Sequence, residues 1–335
     1  MIKFFMMIIL FPILFISPFI AISMNSWFTI WMILELNLLS FIPFIIFFNK
    51  YFKECSLKYF IIQASSSSIF IFFSIINSLM NFNMLNNKIN YLIIIMLNLT
   101  ILMKLGSAPF HSWFINLMNN LSWLNCFILA SWQKIIPLML LSFNFNKFII
   151  IYSALLSSII SSILGNNHQA LRMIMSFSSI INLSWMLIIL MFSNKLLMLF
   201  FILYLLNNIS LMMMFNYLNI FYINQMIMLK NNFKYYLMIN FFSLANLPPF
   251  LGFIMKWSSI IILSMTLNHL LLLIFIMMSL MSFLFYTRIM LSLLLFYKFY
   301  NKINLIKFYK MNFKFIKILI YCSPLMLWLM NSWIF

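Results

Sequence analysis

The chain has 335 residues, of which 66% are hydrophobic and only 7% are charged, and its formal net charge is +18. A water-soluble domain cannot bury so large an apolar fraction, so this composition excludes a soluble globular protein and indicates one that crosses a membrane many times. Because the basic residues lie between apolar runs, membrane topology explains the positive charge better than nucleic-acid binding does.

Apolar runs of about 20 residues recur along the chain, and each is long enough to cross about 30 Å of hydrocarbon as a helix. The runs show no alternation of polar and apolar residues, which argues against a sheet barrel. We predict an all-α polytopic membrane protein with eleven transmembrane helices. The predicted crossings cover residues 4–22, 26–48, 54–80, 89–119, 122–143, 147–165, 169–192, 196–219, 233–263, 268–297 and 315–333.

The fourth and ninth crossings are too long for one helix, and both contain residues that interrupt helices. The interrupting residues are Gly106 and Pro109 in the fourth crossing and Pro248, Pro249 and Gly252 in the ninth. Proline removes a backbone donor and clashes with the preceding turn. In lipid, carbonyls freed in this way must face protein or a water-filled cavity, so both breaks are predicted to lie on an ion pathway.

The positions of the two breaks indicate an internal repeat. Crossings 1–5 and 6–10 form two groups of five, and the fourth member of each group is broken. Because five is odd, the second group would enter the membrane from the opposite face, as in inverted-repeat transporters. We predict one transmembrane domain made of a first repeat (1–145), a second repeat (146–298), and a basic loop with the last helix (299–335).

The basic residues also predict the orientation of the chain. With eleven crossings, the side that holds the N-terminus carries thirteen basic residues and the other side carries three. The richer side should be the matrix or cytoplasm. The thirteen are Lys3, Lys50, Lys53, Lys58, Arg172, Lys230, Lys234, Lys298, Lys302, Lys307, Lys310, Lys314 and Lys317, and the three are Lys88, Lys147 and Lys195.

Few ionisable side chains lie deep within the predicted crossings. They are Glu35, Lys104, His111, Lys134, Lys256 and Arg288. Each charge near the bilayer centre costs about 2.5–3.5 kcal/mol on insertion scales, so these positions need an explanation. Ion pairing and snorkelling suit Arg288, near a helix end, but Glu35 can neutralise only one of the lysines. Because burial disfavours a charged amine and a nearby carboxylate favours it, a lysine whose acidic partner can change would load and release a proton.

Other polar residues carry weaker predictions. Glu54 and Lys58 form an i,i+4 pair at a helix end, which is more typical of stability than of transport. Cys55, Cys126 and Cys322 are isolated and are predicted to be small buried hydrophobes. The sequence has no Gly-rich phosphate loop, no carboxylate cluster and no closely spaced histidines. No redox or hydrolytic site is therefore expected, and energy for pumping would come from partners or from a second ion.

Six motifs occur in order along the chain. They are Trp-Met-Ile-Leu-Glu-Leu-Asn-Leu-Leu-Ser-Phe-Ile-Pro (31–43), Glu-x-Ser-x-Lys-Tyr-Phe (54–60), Lys-Leu-Gly-Ser-Ala-Pro-Phe-His-Ser-Trp (104–113), Trp-Gln-Lys-Ile-Ile-Pro (132–137), Ser-Phe-Ser-Ser-Ile (176–180) and Leu-Pro-Pro-Phe-Leu-Gly-Phe-x-x-Lys-Trp (247–257). Together they resemble the chain 2 family of NADH-ubiquinone oxidoreductases, the mitochondrially encoded antiporter-like subunits of respiratory complex I.

The resemblance implies eleven transmembrane helices, two inverted five-helix repeats, and a role in coupling NADH oxidation by ubiquinone to proton pumping. It implies that Glu35 and Lys104 are the acid–lysine pair, that Lys134 is the central relay lysine, and that Lys256 is the lysine of the second broken helix. His111, Glu54, Lys58 and Asn182 are secondary polar candidates.

The resemblance also implies a location and partners. We expect a multi-pass protein of the mitochondrial inner membrane, with the N-terminus in the matrix and the C-terminus in the intermembrane space. Its partners would be other membrane-arm subunits of complex I, both antiporter-like and small ones, and lipids such as cardiolipin, with no nucleic acid. NADH, FMN, iron–sulfur clusters and ubiquinone would belong to partner subunits, with no cofactor or metal on this chain.

Five positions depart from the family pattern. Met173 stands where a basic residue is common, and Met255 where a proline is common before the lysine. Ala245-Asn246 replaces a Gly-Gly pair, so the shape of the second break is expected to differ. Asn182 replaces a histidine and cannot titrate; water held by Asn182 and Ser184 is one substitute.

Two other functions fit the same residues. One is a free-standing cation/proton antiporter subunit of the same ancestry. The other is a purely structural membrane-arm subunit that seals and braces the membrane while other subunits pump.

Overall fold

The structure, a computed structural model, describes residues 2–48, 53–83, 87–229, 231–248, 250–266 and 269–295. Within these ranges the chain is helical and forms no β-strand, and an isolated antiparallel bridge joins Ala170 to Tyr222. The predicted eleventh crossing, the basic loop before it, Pro249 and Cys322 lie outside the described residues.

The chain divides into two compact units, Met1–Ser157 and Ser158–Phe335. Their boundary falls inside a helix, whereas the predicted repeats meet at 145/146, and the repeat relation stays a prediction. The helices of the first unit are α1 (Ile2–Ser23), α2 (Trp27–Phe48), α3 (Lys53–Asn83), α4 (Asn87–Leu105), α5 (Ser112–Asn120), α6 (Trp123–Ala130), a 3-10 helix (Trp132–Lys134), α7 (Ile135–Phe143) and the first part of α8 (Lys147–Gly165).

The second unit contains the rest of α8 and six further helices in its described part. They are α9 (Leu171–Leu190), α10 (Asn194–Leu218), α11 (Ile223–Met226), α12 (Asn231–Leu244), α13 (Leu251–Thr266) and α14 (His269–Leu295). Nearly every residue of α9 is buried, whereas α14 leaves Leu270, Leu273, Met277 and Leu280 exposed. Exposed apolar side chains on a long helix are expected where lipid is the solvent.

The first ten predicted crossings coincide with helices of the structure. Among the described residues, seven segments are long and apolar enough to cross a membrane. Three shorter apolar helices, Ile9–Ser23, Asn90–Leu105 and Gly252–Met265, correspond to the first, fourth and ninth crossings. The prediction of an all-α polytopic membrane protein is confirmed.

The fifth predicted crossing, 122–143, corresponds to the apolar segment Trp123–Phe143, which the structure interrupts locally. The α-helix stops at Ala130, and Ser131 has φ −120° and ψ −72°, outside the helical region. A 3-10 turn follows before α7 begins at Ile135. Pro137 lies in the first turn of α7, where its missing amide hydrogen leaves no helical hydrogen bond unmade.

The first break ends α4 with a Schellman motif centred on Gly106. Gly106 has a positive φ of 69°, which glycine adopts without a Cβ clash. Its amide donates to the Met103 carbonyl at 3.2 Å. The Ser107 amide donates to the Leu102 carbonyl at 3.3 Å. Two carbonyls that the helix end would leave free are thereby satisfied.

The second break ends α12 with the same motif, although no glycine is present there. Asn246 takes the positive φ, 59°, a region that asparagine tolerates better than most residues. Its amide donates to the Ser243 carbonyl at 3.2 Å, and the Leu247 amide donates to the Phe242 carbonyl at 3.2 Å. The Ala245-Asn246 departure therefore leaves the helix-terminating motif in place.

Candidate functional site

Lys104 occupies the last turn of α4, directly before the first break, and only 7% of its surface is exposed. The carbonyls around it are satisfied by side chains. Trp113 donates its indole N–H to the Met103 carbonyl at 3.1 Å, and Gln63 donates to the Lys104 carbonyl at 3.4 Å. The break is thus closed by protein groups, as an interruption inside a bilayer requires.

Lys134 lies in the 3-10 turn of the fifth crossing and is 3% exposed. Its Nζ atom sits 4.8 Å from the ring centroid of Phe114, a distance typical of a cation–π contact. Phe114 belongs to α5, which follows the first break. A Cβ atom at Gly106 would lie 2.9 Å from the Phe114 Cβ. The absence of a side chain at Gly106 therefore lets the ring beneath Lys134 pack against the break.

One cavity in the first unit is lined by both lysines. Its volume is about 20 Å³, counted as the space open to the centres of water molecules. The lining residues are Leu34, Asn37, Leu38, Tyr59, Gln63, Lys104, Leu105, Trp113, Phe114, Leu129, Gln133, Lys134 and Pro137. The structure thus brings the predicted Lys104 and Lys134 to one polar space.

A hydrogen-bonded amide pair forms one wall of this cavity, and the sequence analysis missed it. Asn37 donates to the Gln133 Oε1 at 2.9 Å, and Gln133 donates back to the Asn37 Oδ1 at 3.2 Å. The Tyr59 hydroxyl donates to the same Gln133 oxygen at 3.4 Å. The available signal was the position of these polar residues within apolar runs, beside Glu35 and Lys134.

Glu35 of α2 is half-buried and does not line the cavity. Its carboxylate accepts a hydrogen bond from the hydroxyl of Ser67 on α3. It also interacts electrostatically with Lys104 and Tyr59. Ser67 is thus a direct hydrogen-bond partner of Glu35, and the pairing of Glu35 with Lys104 stays a prediction.

Lys256 lies on α13, in the second unit, and is 7% exposed. Its Nζ atom sits 5.8 Å from the ring centroid of Trp185 on α9. Gly252 precedes it by one turn, and a Cβ there would overlap the Ser243 carbonyl oxygen. Gly252 therefore allows α13 to start directly against the end of α12, which places Lys256 just after the break.

The other predicted residues lie away from the cavity. His111 is half-buried at the first break, where its Nδ1 lies 3.1 Å from the Pro109 carbonyl oxygen. Glu54 and Lys58 are exposed on α3, and Pro248 is exposed at the second break. These groups shape helix ends or face outward.

Arg288 is held by backbone rather than by an acid. Its guanidinium donates to the carbonyls of Asn166 and His168, which supports the structural explanation given for this residue. Cys55 and Cys126 are buried free thiols, as predicted.

The residues that depart from the family pattern are buried or half-buried. Asn182 and Ser184 are buried on α9, and Met255 is buried beside Lys256. Met173 is half-buried in the first turn of α9. Among the described residues no group of three His, Cys, Asp or Glu side chains could hold a metal ion.

Comparison with known proteins places this arrangement in a family. Residues 24–284 match the transmembrane family described as NADH:quinone oxidoreductase/Mrp antiporter. The NADH-ubiquinone oxidoreductase chain 2 of Anopheles gambiae is 40% identical over 283 residues, covering 82% of each chain. The corresponding protein of Aedes aegypti is 41% identical over 254 residues, covering 74% of each chain.

Solved structures with low sequence identity share the fold. A chain of respiratory complex I from Thermus thermophilus superimposes with a TM-score of 0.79 at 15% identity, covering 93% of this chain and 74% of that chain. A chain of the Mrp complex from Dietzia sp. gives a TM-score of 0.68 at 13% identity, covering 80% and 57%. The chain therefore belongs to the NADH:quinone oxidoreductase/Mrp antiporter transmembrane family, in the branch of the NADH-ubiquinone oxidoreductase chain 2 proteins.

Proposed function

We propose that this chain is a proton-translocating, antiporter-like subunit in the membrane arm of NADH:ubiquinone oxidoreductase of the mitochondrial inner membrane. The observation that carries the proposal is the cavity that Lys104 and Lys134 share, two buried amines with Glu35 as the carboxylate that acts on Lys104. The likeness to mitochondrial chain 2 proteins supports the assignment to this enzyme.

The charge balance of the cavity favours a single mobile proton. Two positive charges in one small space repel one another, and burial adds a desolvation cost to each. Glu35 can compensate one of them. The cavity therefore favours one excess proton shared by Lys104 and Lys134. Any movement that weakens the effect of Glu35 on Lys104 shifts this proton toward Lys134.

The cavity can join the two amines through water. A buried water needs about 10–15 Å³ of such space and 2–4 polar partners. The cavity offers about 20 Å³. Asn37, Gln133 and Tyr59 provide neutral groups that donate and accept, so a water there connects the lysines without adding charge. From Lys134 the proposed path continues to Lys256.

The surroundings of the subunit follow from the same proposal. The N-terminus lies in the matrix and the C-terminus in the intermembrane space, and moving one proton outward costs about 2.3 kcal/mol per 100 mV. Neighbouring membrane-arm subunits deliver the redox energy as an electrostatic or conformational change. NADH, FMN, iron–sulfur clusters and ubiquinone bind to partner chains. Lipids such as cardiolipin cover the outer surface of the subunit.

The test is Lys104→Met in the assembled enzyme, reconstituted into sealed vesicles. We expect a lower ratio of protons pumped to electrons transferred, with the complex still assembled. Lys147→Met is the matched control, because Lys147 is an exposed lysine of the same unit that does not line the cavity. A Lys104→Met enzyme with the parental ratio would overturn the proposal.

A free-standing cation/proton antiporter subunit is the second candidate, favoured by the likeness to the Mrp complex chain. Purification under mild conditions separates the two, since the redox enzyme brings flavin and iron–sulfur centres with it. A purely structural subunit predicts a third result, in which neutralising Glu35, Lys134 or Lys256 leaves the proton-to-electron ratio unchanged.

A further inference from the structure

The second unit contains a buried hydroxyl cluster that the lysine path does not use. Tyr204 of α10 and Tyr286 of α14 are 1% and 3% exposed. The Tyr204 hydroxyl lies near the side chains of Asn208 and Ser179, and the Tyr286 hydroxyl lies near the side chain of Ser178. Two phenols from two helices therefore meet adjacent serines on a third helix, α9.

The serines lie on a stripe of α9 that leads to Lys256. Asn182 follows Ser178 by four residues and precedes Trp185 by three, so the three side chains share one face of the helix. At a rise of 1.5 Å per residue, Ser178 and Trp185 are about 10 Å apart along the axis. The Lys256 amine makes its cation–π contact with the ring of Trp185.

A second polar stripe leads away from the phenols along α10. The turn between α9 and α10 has only three residues, so the helices are antiparallel, and α10 runs from Tyr204 away from the Trp185 level. Asn207 follows Tyr204 by three residues, Ser210 follows Asn207 by three, and the Ser210 hydroxyl donates to the Asn240 Oδ1 at 3.2 Å.

The amide nitrogens of Asn207 and Asn240 are buried and have no acceptor within the described part of the chain. Buried donors of this kind are usually satisfied by water. The two stripes together extend over about 20 Å, roughly two thirds of the hydrocarbon thickness.

Given the proposed function, we propose that the hydroxyls of Tyr204 and Tyr286 relay protons between Lys256 and the polar stripe of α10, in place of a titratable side chain at Asn182. A phenol oxygen accepts a proton on one side while its own hydrogen passes to the neighbour on the other side, so one O–H bond forms as another breaks and the residue stays neutral. This is how a non-titrating position is bypassed.

In this structure the serine hydroxyls donate their hydrogens to backbone carbonyls, so the relay is interrupted here. The Ser178 hydroxyl donates to the Met175 carbonyl and the Ser179 hydroxyl to the Ser176 carbonyl, each at 2.8 Å. A proton passes only when these hydroxyls rotate toward the phenols or toward Asn182. Small movements of α9 against α10 therefore control the relay.

The experiment uses the assembled enzyme in sealed vesicles, with Tyr204→Phe and Tyr286→Phe singly and together. We expect the proton-to-electron ratio of the double variant to fall as far as that of Lys256→Met, with the melting temperature of the complex kept. Tyr235→Phe is the control, because Tyr235 is exposed on α12. Ser178→Ala with Ser179→Ala removes the two serine hydroxyls without changing the phenols, and a similar fall is expected.

Rescue separates relay from packing. Asn182→His in the Tyr204→Phe background restores a group that binds and releases protons near neutral pH, so the ratio should recover. A parental ratio in the double phenylalanine variant, with Lys256→Met impaired, overturns the relay and leaves the lysine path standing. A parental ratio in both enzymes overturns the relay and the proposed function together.

Discussion

Replacing Gly106 with alanine tests whether the first break positions Lys134. The positive φ of 69° costs an L-residue about 1–2 kcal/mol. The new Cβ would lie 2.9 Å from the Phe114 Cβ. Relieving an overpacked contact of this kind costs about 1–3 kcal/mol, so the two effects together destabilise the break by about 2–5 kcal/mol.

The assay is thermal inactivation of the assembled enzyme, followed by the proton-to-electron ratio of the enzyme that survives. We expect a lower melting temperature, and also a lower ratio, because Phe114 is the ring beneath the Lys134 amine. Gly106→Asn separates the two costs, since asparagine tolerates the positive φ but carries the same Cβ. Gly165→Ala is the matched control in the other unit, where the new Cβ would lie 3.1 Å from the Phe285 ring.

Two results would refute the reasoning. If Gly106→Ala keeps the parental melting temperature, the break is more adaptable than its dihedral angle and packing indicate. If it loses stability but the remaining enzyme pumps at the parental ratio, Phe114 does not position Lys134.

Three further variants test other contacts. Ser67→Ala removes the hydroxyl that donates to the Glu35 carboxylate, and a hydrogen bond of this kind contributes about 1.5–3 kcal/mol. We expect a proton-to-electron ratio between those of the parent and of Glu35→Gln. A parental ratio would mean that Ser67 does not support the action of Glu35. Arg288→Met leaves two loop carbonyls without their guanidinium donor, so thermal stability should fall while the ratio of the surviving enzyme stays parental. Asn246→Gly should be neutral or slightly stabilising in a melting assay and Asn246→Ala destabilising by about 1–2 kcal/mol, because position 246 has a positive φ; equal melting temperatures would contradict this.

The lengths of the apolar runs were enough to predict the positions of most helices. Crossings predicted at 147–165 and 169–192 correspond to α8 (Lys147–Gly165) and α9 (Leu171–Leu190), because an uninterrupted apolar run in lipid has no alternative to a helix. The two breaks were also predictable, since Gly106 and Pro109 mark the first and Pro248 and Gly252 flank the second. The sequence further singled out Lys104 and Lys134, because an amine inside an apolar run is conspicuous.

The contacts of these lysines were not predictable in the same way. Asn37 and Gln133 are 96 residues apart, and which of their neighbours they meet depends on the rotation of two helices about their axes. Ser67 lies in a run of four serines, and nothing in that run indicates which hydroxyl binds Glu35. Pro137 carried a signal for the break in the fifth crossing, but a proline near the middle of an apolar run fits either a kinked helix or a new helix.

The scarcity of acids sets the two units apart. The chain contains two acidic residues, Glu35 and Glu54, so no carboxylate of its own second unit can neutralise Lys256. Insertion of that charge costs about 2.5–3.5 kcal/mol. A desolvated cation over an indole ring recovers about 2 kcal/mol, so the Trp185 ring offsets part of this cost but does not replace a carboxylate.

A proton carrier must release its proton as well as bind it, and a buried amine without a carboxylate beside it releases a proton more readily than an ion-paired one. Asn182→Asp would place a carboxylate one turn from Trp185, so Lys256 would hold its proton and release it slowly. We expect slower pumping and a lower proton-to-electron ratio at an unchanged melting temperature, with Asn182→Ser as the neutral control. A parental ratio in Asn182→Asp would mean that the charge on Lys256 is fixed by groups outside this chain.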